Sequence, residues 1–135
     1  LRPGGYSMAE ASVFLTRISD EGRTFYLTVQ HRLDLFYPAL LAITLASGLW
    51  LMAPASWKIG RWLLALLPLP GMIFDYLENY LVAGLLRQSP ASLDGELVAA
   101  ASFVTLLKSI ATTVAMVVLL LLLVGWIMRR RRGTA

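Results

Sequence analysis

The chain has 135 residues, 58% of them hydrophobic, and a formal net charge of +4. That length allows one domain, and the apolar share exceeds the roughly 45–50% of soluble domains, so a soluble core of this size would leave apolar surface uncovered. The charge excess sits in one run, Arg129 to Arg132, which argues against nucleic acid as a partner, and the lack of cysteine excludes disulfides, thiolate catalysis and iron–sulfur clusters.

Residues 1–33 are expected to form an amphipathic, interfacial helical region; they lack the long apolar core of a signal peptide. Ser7 and Glu10 have the spacing of a capping box. It predicts a short helix from Met8 to Ile18 with Ala11, Val13, Phe14 and Ile18 on its apolar side. Ser19 and Asp20 can cap a second helix, running without a break from Glu21 into the first of three apolar segments. That segment, about 35–53, has Pro38 near its start. The second, about 60–86, is interrupted by Pro68, Pro70 and Gly71, where a bend is expected. The third, about 97–128, contains a charge-free stretch from Ile110 to Ile127. Eighteen residues of helix rise ~27 Å, near the thickness of a hydrocarbon core. The fold class expected is therefore all-α: an integral membrane helical bundle, 34–128, of three transmembrane helices, with the short N-terminal amphipathic helix before it and a basic tail, 129–135, after it.

Orientation follows from the positive-inside rule. Arg129 to Arg132 put the C-terminus in the cytoplasm, and three crossings then leave the N-terminal region outside and Lys58 and Arg61 inside. Trp50, Trp57, Trp62 and Trp126 fall at the same inner boundary. The apolar stretches Leu81 to Leu86 and Leu97 to Leu107 extend beyond the outer boundary and need cover, for which the N-terminal helix is the candidate.

Polar residues then collect at one depth. Lys108 stands 21 residues before Arg129, so ~31 Å away along a helix, and Asp75 and Glu78 reach a similar level from Arg61. Asp75, Glu78 and Asn79 share a helix face by their i, i+3, i+4 spacing. Thr105, Lys108 and Thr112 share another. Arg23, Tyr26, Gln30, Asp34 and Tyr37 form a third stripe. These stripes are expected to face one another, with Lys108 paired to Asp75 or Glu78, because an unpaired charge in hydrocarbon costs about 2.5–3.5 kcal/mol. Such a layer serves either as structural glue between helices or as a site for a proton, an ion or a lipid headgroup. His31, the only histidine, cannot build a metal site alone; it reads as an interfacial polar residue, as do Arg23, Tyr26 and Gln30. No cofactor is expected, and contact with lipid or pigment stays open.

The series Tyr6-Ser7-x-x-Glu10-Ala11, Glu21-Gly22-Arg23-x-x-Tyr26, Asp34-x-x-x-Pro38, Asp75-x-x-Glu78-Asn79 and Thr105-x-x-Lys108 resembles a group of small bacterial multi-span membrane proteins with no assigned activity. The resemblance implies a multi-span helical fold in a bacterial inner membrane and carries no mechanism.

No catalytic constellation is present: no Ser-His-Asp set, no HExxH, no phosphate-binding glycine pattern. The function expected is that of a non-catalytic accessory subunit of a larger membrane complex, energy-converting or photosynthetic, in contact with lipids and other membrane subunits. The alternative is a small transporter or lipid-binding protein that uses the layer around Asp75, Glu78 and Lys108.

Overall fold

The structure, a computed structural model, describes residues 2–132, and of His31 and Arg132 only the backbone. Every regular element in that range is helical. Helix α1 is Met8–Arg17 and opens on the capping box: the Ser7 hydroxyl accepts from the Glu10 amide while the Glu10 carboxylate accepts from the Ser7 amide. Those bonds hold the Glu10 carboxyl below its ordinary pKa. Helix α2, Asp20–Phe25, is capped by the Ser19 hydroxyl, which accepts from the Gly22 amide.

Between α2 and α3, His31–Met52, the chain stays helical but makes one π turn, Tyr26–Gln30. The expected unbroken helix is thus present with a local widening, which shifts the side chains that follow around the axis. Pro38 lies inside α3 and removes the donor that the Asp34 carbonyl would receive. Next to that gap the Tyr76 hydroxyl donates to the Leu35 carbonyl at 2.7 Å, tying α3 to the returning helix.

The second apolar segment is two helices, α4 (Lys58–Leu66) and α5 (Leu69–Leu86). At the expected bend the hydrogen-bond ladder is interrupted at Leu67 and Pro68, where Pro68 and Pro70 remove two amide donors within three residues while both link residues keep helical dihedrals. Consequently, among the described residues, two helices, not three, are unbroken, long and apolar enough to cross a membrane: Arg32–Met52, of mean hydropathy 1.8, and Gly95–Arg131, of mean hydropathy 2.6. In the most apolar stretch of each, only 22% and 6% is buried within the molecule. Neither therefore owes its apolar character to packing inside this chain. Helix α6, Gly95–Arg132, runs through the arginines instead of stopping before them.

Helices α5 and α6 are antiparallel, with Leu85 beside Val98, Glu78 beside Thr105 and Gly71 beside Thr112. Steps of three and four on both helices keep the facing rows opposed along their length. Helix α1 lies across their joined ends. Its Ala11 packs with Leu85, Val98 and Ala101, and its Leu15 with Val82 and Leu86. This is the cover that the apolar stretches at those ends require, and each fully buried leucine contributes roughly 1.5–3 kcal/mol. The N-terminal segment enters this contact at Gly5, whose φ is +88°, and the Tyr6 amide donates to the Ser102 hydroxyl at 2.8 Å.

Helices α5 and α6 approach closely at Gly71, where an added Cβ would lie 2.8 Å from Thr112 Oγ1 and 3.4 Å from its amide nitrogen. Thr112 is branched and short, so the helices themselves would have to part. Gly71→Ala is expected to cost about 1–3 kcal/mol by overpacking. Thermal unfolding in mild detergent should show a lowered midpoint for Gly71→Ala, partly restored when Thr112→Ala is added.

Candidate functional site

The antiparallel register brings Glu78 of α5 against Thr105 and Lys108 of α6. Glu78 is 8% exposed and Thr105 3%. A buried carboxylate needs partners for its charge, and Glu78 has two. Lys108 Nζ makes an ion pair with Glu78 Oε2, and the Thr105 hydroxyl donates to Glu78 Oε1. The Thr105 hydroxyl also lies 3.0 Å from the Ala101 carbonyl, but it has a single proton, and the carboxylate is the stronger acceptor. Lys108 reaches Asp75 as well, at 3.4 Å, and Asn79 lies 3.5 Å from the same Asp75 oxygen. One ammonium thus joins two carboxylates one turn apart.

The stripe on the π turn and α3 meets this cluster across a groove of about 540 Å³. Asp75, Glu78, Asn79 and Lys108 line one side; Tyr26, Gln30, Asp34 and Tyr37 line the other. Phe14 and Ile18, from α1 and the link after it, supply an apolar rim. Asp34 accepts from the Gln30 amide at 2.9 Å and has no ion pair with a described cation. Three carboxylates against one ammonium give the lining a formal charge of −2.

One expected member lies elsewhere, and Thr112 meets the layer only beside Asp75. Arg23 does not face the layer: its Nη1 donates to the carbonyls of Leu86 at 2.7 Å and Gln88 at 3.1 Å, and its Nη2 to that of Leu15 at 3.4 Å. The guanidinium therefore serves the C-terminal ends of α1 and α5 at once, where unpaired carbonyls and the helix dipoles favour a cation. Thr112 lies one turn from Lys108, in a small crevice with Pro38, Pro68, Gly71 and Asp75. The side chain of His31 lies outside the described residues. Among those residues no three His, Cys, Asp or Glu groups converge as metal ligands.

Tyr6 joins the cluster although neither spacing nor depth pointed to it. Its phenol is buried with no well-formed hydrogen bond, and burial pushes it up to about 12, the Thr105 hydroxyl beside it pulling the other way. Burial also pushes the Tyr26 phenol up to about 12, aided by the charges of Asp34 on its own side of the groove and Glu78 across it. The comparisons with known proteins return nothing: no family model, curated protein or solved structure matches the chain. What the site can do has to follow from its own geometry, a concave surface with apolar edges and a few convergent polar groups.

Two outcomes check this geometry. Lys108→Met would leave Glu78 buried without a cation, a change that costs about 3–5 kcal/mol, and Asp75→Asn should cost less because its contact is longer. Denaturation in detergent should rank the two variants in that order, and adding Glu78→Gln to Lys108→Met should recover part of the loss. A raised folded pKa gives a contribution fully present below the ordinary tyrosine value of 10.0 and lost as pH rises through about 12. An ultraviolet titration of the folded chain should therefore show late phenols in that window, one fewer in Tyr26→Phe and one fewer in Tyr6→Phe.

Proposed function

We propose that this chain is a three-span protein of the bacterial cytoplasmic membrane, C-terminus inside, that binds the cationic head of a lipid-like molecule in the groove beside Glu78. The crossings are α3, the broken α4–α5 pair and α6. Support for insertion comes from the bareness of α6, where 6% of the most apolar stretch is buried. Helix ends support the common orientation: Arg61 and Arg129 both donate to carbonyls at the end of α3. The N-terminal region then sits at the outer face with α1 along the surface.

The observation that carries the binding function is the groove itself: about 540 Å³, open at its side, with three carboxylates to one ammonium and an apolar rim. A small metal ion finds no ligand set among the described residues. An amine on an apolar tail satisfies both halves of the lining. Among the described residues Asp34 is the groove carboxylate without an ion pair, so it is the natural partner for the arriving charge, while Lys108 is shared by Asp75 and Glu78.

A second function, that of a non-catalytic subunit in a larger membrane complex, is favoured by Met8, Val13 and Phe25. These lie on α1 and α2, outside both candidate spans, and are 43%, 49% and 57% exposed. Purification in gentle detergent separates the two, because a monodisperse chain without protein partners argues against the subunit.

Dodecylamine and dodecanol, titrated against the purified chain in a non-ionic detergent, share a tail and differ in charge. Binding of the amine should be at least about tenfold tighter, and Asp34→Asn should remove most of that margin, about 1.4 kcal/mol. Equal affinity for the two probes would sink the cation site.

A further inference from the structure

At the opposite end of the helices from the groove, two guanidinium groups converge on one helix terminus. Arg61, from α4, donates through Nε and Nη2 to the Trp50 carbonyl at 3.1 and 2.8 Å. Arg129, from α6, donates through Nη2 to the Met52 carbonyl at 2.9 Å. Both carbonyls belong to the last turn of α3. Neither arginine hangs free: Arg61 stacks on the Trp50 ring at 4.5 Å, and Trp50 meets Trp62 edge-on at 4.4 Å. Arg129 Nη1 lies where a Cβ on Gly125 would be 3.4 Å away, so the missing side chain lets the guanidinium lie against α6.

This end carries no acidic side chain in the sequence. No Asp or Glu occurs between Asp34 and Asp75 or after Glu96, while Lys58 and Arg130 to Arg132 add to the positive charge. The helix terminus offers only about −0.5 of a charge against the two cations. Each guanidinium has five donors in a planar fork, and the contacts above use two on Arg61 and one on Arg129. Phosphate oxygens match that fork in geometry and charge. Apolar surface adjoins it, since Trp62, Leu63 and Leu66 on α4 are 64%, 65% and 53% exposed.

We propose that Arg61 and Arg129 bind the headgroup phosphate of an anionic phospholipid in the inner leaflet, its acyl chains lying along α4. The site rests on the membrane reading and is independent of the groove. Basic clusters at this position attract anionic lipid in general, so what is specific here is a fixed pair that prefers one phosphate-bearing molecule.

The full chain is reconstituted into phosphatidylcholine vesicles with or without phosphatidylglycerol and washed with alkaline carbonate. It is then extracted into mild detergent for native mass spectrometry and thermal unfolding. The wild-type chain should resist the wash, retain phosphatidylglycerol about tenfold over phosphatidylcholine, and unfold at a higher temperature with it bound. Arg61→Gln with Arg129→Gln should abolish the preference, and Arg17→Gln with Arg87→Gln, an equal charge change at the other end, should leave it intact. The wild-type comparison does not depend on any variant folding. A chain released by carbonate overturns the membrane reading and this site together. A chain that stays inserted but retains both lipids equally, loses the preference equally in both double variants, or is stabilised as well by inorganic phosphate overturns the site alone.

Discussion

Glu78 is a charge buried between two helices, and its need for partners sets the register of the bundle. A carboxylate 8% exposed is tolerated only where a cation and a donor meet it, and on α6 those are Lys108 and Thr105, one turn apart. A slip of one residue between α5 and α6 would rotate both away. It would also move Thr112 off Gly71, the one place where the backbones come close enough to need a bare glycine, and Val98 off Leu85. Polar pairing in the middle, close approach at one end and apolar packing at the other thus specify the same alignment. Helix α1 can dock only on that alignment, because its Ala11 and Leu15 pack against side chains from the joined ends.

The arginines play a second, distributed role. Helices that end near one another leave carbonyls without donors, and a long cationic side chain from a neighbour can supply them. Arg23 does so for α1 and α5, and Arg61 and Arg129 do so for α3. Each ties together segments distant in the chain, up to 77 residues apart for Arg129 and Met52. Arg61 and Arg129, two of the basic residues from which an orientation is read in the sequence, therefore also close a helix end.

Much of this was legible before any coordinates. The capping box at Ser7 and Glu10 is a local pattern with a local cause, and it forms as read. The pairing of Lys108 with Asp75 and Glu78 was legible because depth can be counted along helices from the arginines and because unpaired charge is costly. The interruption at Pro68 was legible as a bend from two prolines close together. Other features left no trace. Arg23 fits the polar stripe by spacing, yet its partners are backbone carbonyls, which have no sequence signature. The π turn at Tyr26–Gln30 is a one-residue adjustment that no side-chain pattern announces. Tyr6 reaches Thr105 only because Gly5 turns the chain at Ser102.

The imbalance of charge in the groove follows from how the layer is built. Lys108 satisfies the two carboxylates that α5 presents on one face, and it is the only cation α6 offers between Gly95 and Arg129. The third carboxylate, Asp34, comes from α3, whose face is turned toward the groove after the π turn, and it meets an amide instead of a second ammonium. A layer meant only to lock three helices would be best served by equal numbers of charges, because each unmatched one must be desolvated without return. Here Lys108 is shared by the two carboxylates held between α5 and α6, of which Glu78 is buried, while Asp34 stands on the opposite wall. The residues that fix the register of α5 and α6 and the carboxylate proposed to meet a ligand are therefore different, so a change at Asp34 leaves the pairing of Glu78 with Lys108 and Thr105 in place.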